Sequence, residues 1–290
     1  MPISRGRPRT SLLERLRVIY WSHQVLAASG MGTADGFETL FAKANGPVRI
    51  ARGSWSRYLR GEISPQGATD DASAQSLVAR LGKRYPGTAE VFHHPIWQLL
   101  KFEEWYSPTQ LREMYLQLSA QAWHQFVATK KRPRGGYEPG APHFWRVGFG
   151  ILERVDGLKN LSGLDGIAAS LIEARMEYLA QAKSGFLKCI EVAIVHLDHL
   201  SSDQTGCSWR LHSCHLLLEA YCLGFALYCT QSSGVEERER DAQDERVQQL
   251  GRVWQKRFFD HLERLSPSHG EVARTWAREI FSLTAESGLT

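Results

Sequence analysis

From Pro142 to Ala285 the apolar residues recur three and four positions apart in one segment after another, and no stretch of useful length alternates at the two-residue period of a strand. A chain that offers its core only through helical faces must build it by packing helix on helix. The helices expected here span about 142–155, 165–183, 185–200, 208–231, 235–265 and 268–285. Leu161 to Gly166 separates two of them, and Ser268 with Glu271 supplies a capping box for the last. Leu211 to Cys229 is apolar on most sides, which predicts the centre of a multi-helix bundle. Glu236 to Gln249, with Arg238, Arg240 and Arg246 among acids, predicts a solvated, projecting helix. The fold class is all-α.

The N-terminal part reads the same way. Ser11 caps a helix and Glu14 completes a capping box; Leu12, Leu16, Ile19, Tyr20, His23 and Leu26 fall on one side, and Gly30 ends it. A short helix over 36–44 carries Phe37, Leu40 and Phe41, and Asn45-Gly46-Pro47 breaks the chain. Next comes Arg49 to Pro65. On a helix begun by Ser54 and stopped by Gly61, Trp55, Tyr58 and Leu59 share a face, while Ser56, Arg57 and Arg60 point elsewhere. A helix near 72–84 follows, packing through Leu77, Val78 and Leu81, and Tyr85 to Thr88 forms a turn that marks a domain boundary. Beyond it, Pro95 starts a helix through Ile96, Trp97, Leu99, Leu100 and Trp105, and Ser107-Pro108 opens another running to about Thr129.

Short helix, Trp-Ser-Arg-Tyr-Leu-Arg-Gly, Ser64-Pro65 loop, amphipathic helix: this order over Gly36 to Tyr85 resembles the second half of a lambda-repressor-type helix-turn-helix domain. Asn45 to Gly53 stands where that family has a tight turn. Ahead of it, Arg5-Gly6-Arg7-Pro8-Arg9 resembles an AT-hook, in which glycine lets the backbone enter a narrow groove, proline keeps it extended and arginines seek the negative potential of A·T-rich DNA. A plain disordered terminus is the other reading of those residues. The organisation expected is a basic arm over 1–10, a helical DNA-binding-like module over 11–88 and a helical bundle over 89–290.

Charge supports that division. The formal net charge of +4 splits into 19 Lys and Arg against 10 Asp and Glu up to Arg134, a net of +9, and 16 against 21 beyond it, a net of −5. A basic half fits a polyanion, and an acidic half fits protein contacts or solvation. The resemblances imply that Arg5, Arg7, Arg9, Arg49, Arg52, Ser54, Ser56, Arg57 and Arg60 face a duplex. Lys130, Lys131, Arg132 and Arg134, on a Gly- and Pro-rich stretch with Trp123, Tyr137, Phe144 and Trp145 nearby in sequence, could clamp phosphates and stack bases, or form an exposed linker.

Other chemistry is thinner. His196, His199, Cys207, His212, Cys214 and His215 make a zinc site conceivable, but their spacing fits no zinc knuckle or ribbon, and Cys189, Cys222 and Cys229 serve as small apolar residues; the expectation is no metal and no cofactor. No phosphate-binding loop, Gly-x-Ser-x-Gly elbow or His-Glu-x-x-His occurs, and Asp198 between two histidines is the least poor candidate for acid–base work, so no enzyme is expected. Five cysteines without a disulfide pattern indicate a reducing compartment, Met1 to Thr10 lacks the apolar region of a secretory signal, and Leu216 to Tyr228 is too short to span a bilayer and is broken by Glu219. The expectation is a cytoplasmic nucleic-acid-binding protein, DNA ahead of RNA, that regulates or assists transcription, mobile DNA or phage defence. Its C-terminal helices would hold a protein partner or a second copy. The alternative is a helical interaction subunit of a larger protein or ribonucleoprotein assembly, for which nine tryptophans supply interface anchors.

Overall fold

The computed structural model describes residues 11–43, 50–65, 76–101, 104–118, 151–180, 182–202, 209–232 and 237–286, and every regular element among them is an α-helix. The chain divides into two units, Met1–His93 and His94–Thr290. No helix among the described residues is long and apolar enough to cross a membrane.

In the first unit α1 (Leu12–Ala28) starts at Ser11, whose hydroxyl accepts the Glu14 N–H at 3.2 Å. The Glu14 carboxylate serves elsewhere than in the expected box: it takes a hydrogen bond from Arg17 at 2.7 Å and another from the Ser64 hydroxyl at 3.1 Å. Leu12, Leu16, Ile19 and Tyr20 are buried as their spacing predicts, but Leu13, Val18, Trp21 and Val25 are buried too, so α1 is enclosed on more than one side. Trp21 is the hub. Its ring lies 5.5 Å from Trp55, 6.0 Å from Tyr58 and 5.4 Å from Phe92. Phe37 and Phe41 come from α2 (Ala34–Lys43), Trp55 and Tyr58 from α3 (Ser54–Leu59), Val78 and Leu81 from α4 (Leu77–Arg84), and Phe92 from α5 (Thr88–Phe92). Tilted and edge-on ring pairs of this kind each add about 0.5–1.5 kcal/mol to the area they bury. α5 lies against α1 and α4, closely enough that a methyl group at Gly82 would come within 2.5 Å of the Ala89 Cβ.

The second unit opens with a helix much shorter than the one expected from Pro95 to Trp105. α6 (Ile96–Leu99) is a single turn closed by Leu100. Arg175 explains the stop: its guanidinium donates to the carbonyls of Leu99 at 2.8 Å, Lys101 at 2.9 Å and Glu104 at 2.8 Å, acceptors that a continuing helix would use internally. The Tyr106 hydroxyl adds a bond to the Gln98 carbonyl at 3.1 Å. Ser107 and Pro108 then start α7 (Pro108–Leu116) with a complete capping box to Gln110; it ends at Leu116 with Gln117 as its C-cap, short of the helix expected to reach Thr129, and the residues after Leu118 lie outside the described ones.

The remaining elements are α8 (Ile151–Lys159), α9 (Gly163–Leu179), α10 (Lys183–Ser202), α11 (Trp209–Ser232), α12 (Glu237–Glu263) and α13 (Pro267–Glu286). α11 touches α10, α12 and α13 and buries Leu216, Leu217, Leu218, Cys222 and Phe225, the central place its all-round apolarity predicts. α9 is a second centre. It packs on α6, α7, α8 and α10, and it runs closely along α10 because Gly166 leaves room for His196, whose Nε2 would lie 2.9 Å from an added Cβ. Two further expectations change. α13 begins at Pro267, so Ser268 lies inside the first turn, and Glu271 pairs with Arg274 and Arg278 rather than closing a capping box. α12 is not purely projecting, since Arg246 pairs with Glu191 of α10 and Val247 is buried.

Candidate functional site

Arg5, Arg7, Arg9, Arg49, Lys130, Lys131, Arg132 and Arg134 lie outside the described residues. Arg52, Ser54, Ser56, Arg57 and Arg60 are described, and all five sit on α3 or its flanking turns. Gly53 enters the helix at φ +77° and Gly61 leaves it at φ +64°, a left-handed conformation that suits glycine. At Gly61 a side chain would also press on the Arg15 carbonyl at 3.1 Å. Between these glycines Trp55 and Tyr58 point into the aromatic cluster, Arg57 is exposed, and Ser56 and Arg60 are half-exposed.

Ser54 is not the cap expected of it. It is the first residue of α3, and the amino end is closed from α2 by Glu38, whose carboxylate accepts the Gly53 and Trp55 N–H groups at 2.7 Å each. Charge-assisted bonds of this length are among the stronger ones, and Glu38 is buried. Glu38→Ala strips both donors of their partner and is expected to lower the stability of the first unit by about 2–3 kcal/mol, with Glu38→Gln costing less because its amide oxygen still accepts. Urea denaturation followed by tryptophan fluorescence measures it; an unchanged midpoint for the alanine variant would remove Glu38 as the clamp that orients α3.

The arginines share a counter-charge. Glu62 accepts from Arg60 Nε at 2.5 Å and Nη2 at 3.1 Å and lies 3.7 Å from Arg57 Nε. These side chains are 39–53% exposed, and ion pairs so open to water contribute about 0–1 kcal/mol, so a phosphate can replace the carboxylate at little cost. Other cations of the unit are used in packing: Arg17 lies 4.4 Å over the Phe92 ring and Arg84 4.9 Å over Phe41.

Among the described residues, the histidines and cysteines weighed for zinc form no three-ligand group. Cys207 lies outside the described residues, His196 is buried with Nε2 3.0 Å from the Leu158 carbonyl, and Cys214 and His215 are buried in α11. No group of three or more His, Cys, Asp or Glu side chains among the described residues is placed to hold a metal. His212 alone of the set lines a cleft of about 170 Å³, with Asp198, Arg257, Asp260, His261 and Arg264, between α10, α11 and α12. The rings of His212 and His261 are 4.5 Å apart, and Ser213 Oγ holds His261 Nε2 at 2.8 Å. Arg257 bridges Asp198 at the surface and the fully buried carboxyl of Glu219. Burial pushes Glu219 up to about 8 against the pull of Arg257, and burial, His212 and Arg264 push His261 down to about 4. His212 is lowered by burial, then by Arg264 and Arg257, with Asp198 acting the other way. Sequence reading singled out Asp198 and His212 but missed this arrangement, because its partners are brought from α12, some fifty residues away, with no spacing to announce them.

The chain matches no known family model, no curated protein and no solved structure.

Proposed function

We propose that the N-terminal unit binds nucleic acid, duplex DNA ahead of RNA, and that the protein is a non-catalytic cytoplasmic factor serving transcription, mobile DNA or phage defence. The observation that carries this reading is α3: a helix fixed by two buried aromatic rings and a carboxylate clamp, displaying Arg57 and Arg60 with an exposed, weakly held glutamate as their shared counter-charge. The excess of cations in the first 134 residues agrees with it. In this reading α3 is the reading helix of a helix-turn-helix-like module, the Arg5–Arg9 arm enters an adjacent minor groove, and the C-terminal helices serve assembly.

Fluorescence anisotropy of labelled duplex DNA, single-stranded DNA and RNA against salt concentration tests it. On duplex DNA the slope of log K against log salt falls by about 0.9 for each phosphate left unneutralised, so Arg57→Gln with Arg60→Gln should flatten it by about 2 units. Glu62→Gln should raise affinity, because the competing carboxylate is gone. A protein that binds none of the three probes at low salt, or a double variant that binds as the parent does, overturns the proposal. The interaction-subunit reading draws on Trp105, 50% exposed and stacked on Tyr178, and on Phe259, 59% exposed on α12. Purification with a stoichiometric protein partner and no nucleic acid would favour it.

A further inference from the structure

We infer that the cleft between α10, α11 and α12 is a binding site for a small phosphate-type oxyanion, inorganic phosphate or a compact phosphate monoester, belonging to the C-terminal unit alone. Arg257 sets the frame. Its guanidinium is tied to Asp198 on one side and Glu219 on the other, so its position is fixed and its charge answered. Arg264 is the cation left over: it lines the cleft and makes no ion pair among the described residues.

Beside it stand two imidazoles with nitrogens to spare. Ser213 holds His261 by Nε2, which fixes the ring and leaves Nδ1 without a partner among the described residues, and neither nitrogen of His212 has one. The Arg264 guanidinium and the one N–H that each neutral imidazole carries, His261 offering Nδ1–H when the Ser213 hydroxyl donates to its Nε2, line one small space and are donors an oxyanion takes. The carboxylate of Asp260, also in the wall, decides between anions. It repels a bare anion but accepts a hydrogen bond from an anion that carries an O–H, as hydrogen phosphate does and sulfate does not. At about 170 Å³ the space is smaller than the roughly 300–1,000 Å³ typical of drug-sized ligands, which limits the occupant to a phosphate and at most a few further atoms.

The test is calorimetric titration of the full chain with inorganic phosphate, glycerol phosphate and sulfate, with the histidine ring resonances followed by NMR. Saturable binding of phosphate or the monoester, with shifts at His212 and His261 and sulfate about tenfold weaker or worse, is expected; the stronger of the first two identifies the source of the phosphate group. Arg264→Gln and His212→Gln should each raise Kd about tenfold, and Asp260→Asn should narrow the gap between phosphate and sulfate. Arg252→Gln, on the exposed surface of α12, should change nothing. Because Arg264 is exposed, its variant is expected to melt as the parent does, so a loss of binding reads on the site and not on the fold. Absence of saturable binding by all three anions, sulfate binding as well as phosphate, or an Arg264→Gln variant that binds normally overturns the inference. None of these outcomes bears on DNA binding by the first unit, which is measured separately.

Discussion

Trp55→Ala is expected to destabilise the first unit by about 3–5 kcal/mol, the range for emptying a large aromatic site in a packed core. Trp55 is fully buried, with Phe37 at 4.2 Å, Trp21 at 5.5 Å and Tyr58 at 5.6 Å, so its removal opens a hole bordered by rigid rings that collapse poorly into it. Whole domains are stable by only about 5–15 kcal/mol, and this unit is small, so much of its folding free energy rests on that one ring. Trp55→Phe keeps part of the volume and should cost clearly less. Denaturant unfolding of the full chain gives the answer through the transition assigned to the first unit. A shift worth less than about 1 kcal/mol for the alanine variant would mean that the cluster is not what holds α3 in place. Since the proposed DNA-binding arginines ride on this helix, Trp55→Ala should also abolish duplex binding, whereas the arginine variants should lose binding with stability unchanged.

Arg175→Met is expected to have an effect of similar size in the second unit. Arg175 is 4% exposed, and its guanidinium lies 4.9 Å from the Tyr106 ring and 4.5 Å from the Phe225 ring and donates to three backbone carbonyls. Burial pulls it down to about 10, which still leaves it charged at neutral pH. Methionine fills the channel but donates nothing, and hydrogen bonds from a charged donor are worth about 1.5–3 kcal/mol each, so a loss of about 3–5 kcal/mol follows after partial rehydration of the freed carbonyls. Arg175→Lys keeps the charge but loses the planar fork that reaches several acceptors at once, and should fall between the two. Hydrogen exchange adds a local readout: amides around α6 should open in Arg175→Met before the rest of the unit. If they stay as protected as in the parent, the guanidinium does not hold the segment from Leu99 to Glu104.

Much of the fold could be read from periodicity. α11 is apolar on most of its sides and is central; Trp55 and Tyr58 are one turn apart and both point inward. What periodicity left out is governed by partners distant in sequence. Nothing near Glu38 says that it will cap a helix fifteen residues on, and nothing near Leu99 says that an arginine seventy-six residues later will end α6. α9 hides its central place because Glu173, Arg175 and Glu177 break its apolar pattern while being buried themselves. The candidate interface was legible as a set of arginines, but their pairing with Glu62 was not, since that carboxylate reaches them only once Gly61 has turned the chain back.

The amino end of a helix ordinarily welcomes a phosphate, because its unbonded N–H groups point outward and carry partial positive charge. On α3 that berth is already filled from within by the side chain of Glu38. If α3 takes nucleic acid, as proposed, the strand has no end-on seat there and lies broadside, crossing the helix where its arginines stand and not where it begins.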